Sequence, residues 1–374
     1  MREESERLLR LLRGSREDRA PLWEPWFQMH AMLRDLYGGS QLRMADHLRH
    51  AALPLGRVDT GIGFYKPVRR IEKTGVWYGG GLLRRPKQLR DRPEPDYGAQ
   101  AEALLTRRTE LQRAGTACWM VLPWCFHAVA TGMGWESFAL ACYDRPEFIH
   151  EAMQWAEARN RRAIEQVVAK VKPDFLLYDG DCAHKTGAMI NPDMLRRFCL
   201  APTEPGIQML RDMGVPPVFH SDGRLTDVIP LLCELGFAAV HGCEKQANDL
   251  QRLVETFGDQ IVLCGNMDVV FLKDATPRQV RRETLEMLHT GGGKGKFVAS
   301  CNTSPLDYIP YENYQTFCLT VAEYTPKGRA LGVGESREVV HGSKRLPRSP
   351  PSRGAIPGGV TIKSCGREKE GGVA

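Results

Sequence analysis

From residue 174 onward the chain repeats one unit five times: an apolar run without polar alternation, a polar end, and a helical stretch. The runs are DFLLYDGD (174–181), PPVFHSDG (216–223), AAVHGCE (238–244), IVLCGNMD (261–268) and KFVASCNTS (296–304). The helices are expected near 192–213, 225–236, 246–258, 277–289 and 311–324. Asn191-Pro192, Ser221–Gly223 and Thr276-Pro277 supply start signals, while Gly214, Gly236 and Gly258 sit where C-terminal caps belong. Strands of this kind, separated by helices, belong to a parallel sheet covered on both faces. Upstream, TACWMVLPW (116–124) reads as another buried strand, followed by helices near 135–143 and 146–171. RAPLWEPWFQ (19–28) reads as a first strand after a helix over 1–14. Residues 30–105 read as irregular, with short strands at 61–65 and 75–79.

An open doubly wound sheet and a closed barrel both fit that alternation, and the position of the polar residues separates them. All five runs end in polar or reactive groups: Asp179 and Asp181, His220 and Asp222, Glu244, Cys264 and Asp268, and Cys301. An open sheet concentrates its site at one switch point, whereas a barrel gathers it from strand ends around a ring. The expected fold is therefore an α/β (β/α)8 TIM barrel with its site at the C-terminal mouth of the strands. Residues 1–110 supply its N-terminal helix, first strand and irregular segment, and 111–334 the remainder. The Pro-, Gly-, Ser- and Arg-rich stretch 335–374 has no apolar face and is expected to be a disordered basic tail.

Composition narrows the function classes. The net charge is +6, and the tail from Glu335 holds eight basic against four acidic residues, so the remaining body is nearly neutral. That is a poor nucleic-acid footprint. No apolar run approaches the roughly 18 residues of a membrane span, and the amphipathic N-terminus MREESERLLRLLRG has no signal-peptide core. Eleven cysteines without a CxxC pair exclude zinc ribbons and thioredoxin-type motifs, and reduced thiols in the cytoplasm are the expectation.

Two constellations carry chemistry. His220 and Asp222, two apart, leave their strand on the same side, while Glu244 and Cys301 close two others. Nitrogen, oxygen and sulfur donors meeting at one mouth suit zinc, and three of them with an open position make a catalytic site. The plain alternative is that His220 hydrogen-bonds a substrate or loop carbonyl and Cys301 is a small core residue. Asp179 and Asp181, flanking Gly180, can bind a cation or share a proton, or else anchor the loop toward Asn191. His127 either lines the mouth or is an ordinary histidine. GGGKGK (291–296) precedes a strand, so its amides are not those of a phosphate loop at a helix start, and a flexible connection is expected.

The segments YDGDCAHKTGAMINPDMLRRFCLAP, VFHSDGRLTDVIPLLCELGFAAVHGCEKQANDLQRLVETFGDQIVLCGNMDVVFL and GGGKGKFVASCNTSPLDYIPYENYQTF are similar to the uroporphyrinogen decarboxylase superfamily. The resemblance covers about 174–324 well, 115–171 plausibly, and 20–110 only faintly through RAPLWEPW. It implies a (β/α)8 barrel and two branches of chemistry. The decarboxylase branch holds an acidic tetrapyrrole with arginines of an RxxGR-type motif, and here FQMHAMLRDLYGG stands without one. The zinc-dependent methyltransferase branch, acting on corrinoid proteins, has His-x-Cys after the fifth strand and a last Cys. His220 and Cys301 match that pattern, while Asp222 replaces the middle cysteine. The resemblance thus implies a zinc site of His220, Glu244 and Cys301, with Asp222 or Cys264 in reserve and Asp179, Asp181 and Asp222 as catalytic carboxylates. It implies metal-assisted methyl transfer between a small molecule and a corrinoid protein. The alternatives are a metal-free decarboxylase using Asp179 and Asp181, and a non-catalytic small-molecule binding barrel.

Overall fold

The computed structural model describes residues 1–64 and 81–325. Its centre is a curled, all-parallel sheet of seven strands that neighbour one another in chain order. They are β1 (Ala52–Arg57), β2 (Ala117–Pro123), β3 (Phe175–Asp179), β4 (Pro217–His220), β5 (Ala239–His241), β6 (Val262–Met267) and β7 (Phe297–Cys301). The five repeated units are β3 to β7 with their helices Pro192–Leu195 and Ala201–Asp212, Ile229–Leu235, Leu250–Phe257, Pro277–Gly291 and Tyr311–Glu323. Helix Pro277–Gly291 starts on a capping box of Thr276 and Gln279, which satisfies amides the first turn leaves unpaired.

The two edges of the sheet meet at the segment around Leu22. Leu22 forms parallel bridges to His50, just before β1, and to Ala299 of β7. The Trp23 amide donates to the Ala299 carbonyl (3.0 Å), the Ala299 amide to Pro21 (2.9 Å), and the Ala51 amide to Leu22 (2.8 Å). The curl is consistent with a TIM-like barrel, and the expected strand over 19–28 is reduced to this short bridging piece.

Pleat alternation sorts the side chains into two cores. Inward positions, including Trp119, Phe175, Val218, Ala239, Val262, Cys264 and Val298, pack with Trp23 inside the curl. The Trp23 ring stands edge-on to Trp119 (5.6 Å) and Phe175 (5.1 Å). Outward positions, including Met120, Tyr178, Phe219, Leu263, Ala299 and Cys301, pack against the helices in the larger core.

The structure corrects the reading of residues 30–105 as irregular. They contain helices His30–Tyr37, Gln41–Leu48 and Tyr97–Arg113 as well as β1. Residues 61–64 form no strand, and the expected strand at 75–79 lies outside the described residues, as does the tail 335–374. The GGGKGK stretch holds a short 3-10 turn, Gly292–Lys294, in which Lys294 pairs with Asp259 (2.5 Å). The long helices are interrupted by π turns at Ile164–Val168 and Arg196–Leu200. Gly236 takes the left-handed cap conformation (φ +84°), whereas Gly258 ends its helix with a right-handed φ of −62°. No helix among the described residues is long and apolar enough to cross a membrane.

Candidate functional site

The C-terminal ends of β3 and β4 lie side by side, with Asp179 opposite His220 in register. Beyond them the DGD and HSDG turns interlock. The Asp222 amide donates to Asp181 Oδ1 (2.9 Å), the Gly180 amide to the His220 carbonyl (3.3 Å), and the Cys182 amide to Ser221 Oγ (3.0 Å). Gly223 sits at φ +93°, where a Cβ would come within 2.6 Å of the Ala183 backbone, so glycine alone fits the turn. Glu244 accepts the Gly223 amide (3.0 Å), and Asn248 holds the Gly223 carbonyl (2.9 Å) and the Leu225 amide (2.9 Å).

This arrangement brings Asp181, His220 and Asp222 together, with one candidate donor atom from each within 4.8 Å of the others. His220 Nε2 lies 3.8 Å from Asp181 Oδ1 and 3.7 Å from Asp222 Oδ1. Burial, with the His127 charge second, pushes the His220 imidazole down to about 3, so its ring is neutral at physiological pH. Burial and the neighbouring Asp181 and Glu244 carboxylates push Asp222 up to about 7. Asp222 Oδ1 is buried without a hydrogen-bond partner. A neutral imidazole beside two crowded carboxylates, one with an orphaned oxygen, is a donor set that a divalent cation would satisfy, because the cation offsets the cost of burying the Asp222 charge and, second, its repulsion by Asp181 and Glu244.

Asp181 and His220 of the trio adjoin open space. A cavity of about 840 Å³ is walled by Val58, Ile62, Trp124, Trp135 and Met189 on its apolar side and by Arg57, Asp59, Asp179 and Asp181 on its polar side. Arg57, from β1, is ion-paired with Asp179. A second cavity of about 230 Å³ shares His127, Asp179 and Asp181 with the first and reaches His220 and Trp26. The Trp26 ring stands edge-on to His220 at 4.4 Å. His127 Nδ1 accepts the Asp181 amide (3.1 Å), and burial lowers its pKa.

Behind His220 runs a buried polar chain. His220 Nδ1 lies 2.8 Å from His241 Nδ1, His241 Nε2 lies 2.9 Å from Ser300 Oγ, and Ser300 Oγ lies 3.1 Å from Glu24 Oε2. The Cys301 amide donates to Glu24 Oε1 (3.0 Å). Burial pushes Glu24 up to about 8 and His241 well below the usual histidine range.

The expected ligand set His220, Glu244 and Cys301 is not what the fold assembles. On β7 the inward residue is Ser300, so Cys301 points outward to Glu24, Cys318 and Tyr314, and burial raises its thiol. Cys264 does face inward, but it is fully buried in the inner core, opposite His241 in the register. Glu244 steadies the HSDG turn through the Gly223 amide. Of the reserve groups, Asp222 joins His220, and Asp181 completes the group. Asp179 stands beside it, held by Arg57. Sequence reasoning missed His241, Glu24 and Arg57. The signal for His241 was on the page: FH and VH end consecutive strands at paired positions.

The family model described as Uroporphyrinogen decarboxylase (URO-D) matches residues 83–324. No curated protein matches the sequence. Among solved structures, a methyltransferase from Methanosarcina mazei is similar with a TM-score of 0.68 at 14% identity, over 86% of this chain and 98% of that one. A sugar phosphate isomerase/epimerase from Parabacteroides distasonis is similar with a TM-score of 0.38 at 8% identity, over 80% of this chain and 95% of that one.

Proposed function

This chain belongs to the uroporphyrinogen decarboxylase family, and from that premise we propose that it is a barrel enzyme of metal-assisted methyl transfer, passing a methyl group from a small organic substrate to a corrinoid protein. The observation that carries the reading is the trio Asp181, His220 and Asp222, of which Asp181 lines the 840 Å³ cavity. The trio would hold a divalent cation, zinc in the first place, and the cation would act as a Lewis acid on the heteroatom bearing the methyl group. The chain's own residues do the rest. Val58, Ile62, Trp124, Trp135 and Met189 bury the substrate's apolar part and exclude water. The Arg57–Asp179 pair holds the rim of β1 against that of β3. His241 holds the His220 ring in place, so that Nε2 faces the two carboxylates.

Oxygen donors in place of thiolates favour an oxygen or amine heteroatom over a thiol, since a harder ligand set keeps the cation harder. One observation favours a second reading, decarboxylation of an acidic substrate: Arg57 lines the large cavity and would meet a carboxylate.

The test is elemental analysis of protein purified without chelators, together with methyl transfer to free cobalamin followed by its visible spectrum. One metal per chain and methyl transfer from a methylated amine or ether support the reading. Protein that takes up no metal under any condition, or that turns over only polycarboxylic acids, overturns it.

A further inference from the structure

We propose that His127 is a substrate-binding residue of the mouth: its Nε2–H donates a hydrogen bond to a neutral oxygen of the substrate, and so favours an oxygen-bearing molecule over an ammonium or a carboxylate. This role rests on the reading of the large cavity as the substrate site, and it narrows a substrate heteroatom left open above between oxygen and amine. It needs no metal and invokes no change of protonation.

His127 reaches the strand ends because residue 180 is glycine. It lies in the first turn of helix Cys125–Met133, packed on the DGD turn. A Cβ at position 180 would come within 2.7 Å of the His127 Cβ and 3.2 Å of the Trp124 Cβ, so a larger residue there would push the helix start away from the mouth. His127 thereby lines both the cavity of about 840 Å³ and the one of about 230 Å³. The Trp135 ring stands edge-on to it at 5.8 Å.

The backbone sets the role of each ring nitrogen. Nδ1 accepts the Asp181 amide (3.1 Å), and an amide N–H can only donate, so Nδ1 carries no proton. An imidazole with a bare Nδ1 is neutral and holds its proton on Nε2. Burial favours the same neutral form. The candidate metal ligand is the Asp181 side chain, whereas its backbone amide fixes the tautomer, so a cation on the carboxylate leaves that amide to the ring. Among the described residues no group accepts from Nε2.

The surroundings decide what this donor takes. The polar side of the large cavity carries Asp59, Asp179 and Asp181 against Arg57, which is ion-paired with Asp179. A divalent cation on the trio would cancel the charges of Asp181 and Asp222 and leave that of Asp59, so the balance stays negative either way. A carboxylate placed at Nε2 would meet this excess. An ammonium nitrogen has no lone pair with which to accept. An ether, hydroxyl or carbonyl oxygen accepts from Nε2–H and meets neither obstacle. The apolar wall around Trp124 and Trp135 would bury the rest of such a molecule.

The test uses the full chain at neutral pH without added metal, and three probes of similar shape: methoxybenzene, phenyltrimethylammonium and benzoate. Nitrogen NMR of protein carrying nitrogen-15 histidine, with the ring signals assigned by His127→Gln, is expected to show a protonated Nε2 and a bare Nδ1. Methoxybenzene is expected to shift the Nε2 signal and to bind about 10-fold more tightly than either ion by calorimetry, the factor one hydrogen bond supplies. His127→Asn keeps an oxygen that can accept the Asp181 amide but removes the donor, and is expected to lose that factor. His127→Gln, with a donor at the place of Nε2, is expected to restore most of it. A protonated Nδ1 in wild type, methoxybenzene that binds no better than the ions or not at all, or unchanged affinity in His127→Asn overturns the role. So does a His127→Asn protein that takes up less zinc than wild type, since His127 would then be a ligand. If His127→Asn does not fold, the wild-type ring signals and the ranking of the probes decide. Failure of the methyl-transfer reading shows elsewhere, in metal uptake and turnover, and leaves these binding measurements as they are.

Discussion

The ends of β3 and β4 and the ends of β5 to β7 carry the same kinds of residue, carboxylates, a histidine and thiols, yet among the described residues the cavities of about 840 and 230 Å³ are lined by the carboxylates and the histidine of the first pair. At β3 and β4 the inward parity ends on Asp179 and His220, and the DGD and HSDG turns carry Asp181 and Asp222 back over the strand ends. At β5 to β7 the same parity ends on His241, on Cys264 and on Ser300, while Cys301 falls one position later and faces the helices. A single-residue offset moves a side chain to the other face of a sheet. Reaching a strand end therefore does not by itself turn a residue toward the mouth, and parity decides which side of the sheet it takes.

The largest effect that tests this contrast lies in the trio. His220→Ala and Asp222→Asn are each expected to lower bound metal from near one per chain toward zero and methyl transfer by at least about 100-fold, because a three-ligand site has no spare donor. Cys301→Ala is expected to leave metal content unchanged. Elemental analysis of the three variants, with circular dichroism as the folding control, breaks the comparison if Cys301→Ala is the one that loses metal.

Next comes Gly242, at φ +99°, where a Cβ would lie 2.2 Å from the Ser221 carbonyl oxygen. Gly242→Ala is expected to cost about 2–4 kcal/mol, from strain and a clash with the HSDG turn, measured by urea unfolding. An unchanged midpoint would mean that the backbone after β5 is not packed rigidly against the HSDG turn.

Glu24→Gln gives an effect that depends on pH. An acid whose folded pKa is raised stabilises the fold fully below its unfolded pKa and loses that contribution as pH rises through the folded one. For Glu24 the window runs from 4.5 to about 8, and wild type should lose about 1 kcal/mol per pH unit there relative to the variant. Unfolding curves of both proteins at several pH values check it, and parallel curves would show a carboxyl that stays ionised.

The smallest effect is again at Cys301, now in stability. Removing its sulfur from the outer core is expected to cost about 1 kcal/mol, with no change in activity, by the same urea measurement.

Much of this was readable from the residues. The five runs from 174 onward announce β3 to β7 because buried parallel strands have no polar partner residues to obscure them. Residues 30–113 hid their elements for physical reasons. Helix Tyr97–Arg113 buries only Tyr97, Ala101 and Leu111, too sparse a face to show a period. In β1, Pro54 and Gly56 interrupt the run, and the register shifts between them. Arg57 was lost with that strand. In the site, HSDG and DGD were visible as motifs. Glu24 looked like a break in a strand, since WEP carries no hint that its carboxylate meets Ser300 from a position 276 residues away.

That separation bears on how the molecule is made. Leu22 and Trp23 complete the ring only by bonding to Ala299, so the earliest-synthesised stave waits for nearly the last. At ribosomal speeds of about 5–20 residues per second, the N-terminal segment remains without its Ala299 partner for at least about ten seconds. Trp23, which fills the inner core against Trp119 and Phe175, is exposed for part of that time. High contact order of this kind slows folding. The two sheet edges can therefore meet at Leu22 only after Ala299 has been made, and the interior chain ending at Glu24 comes into being no earlier.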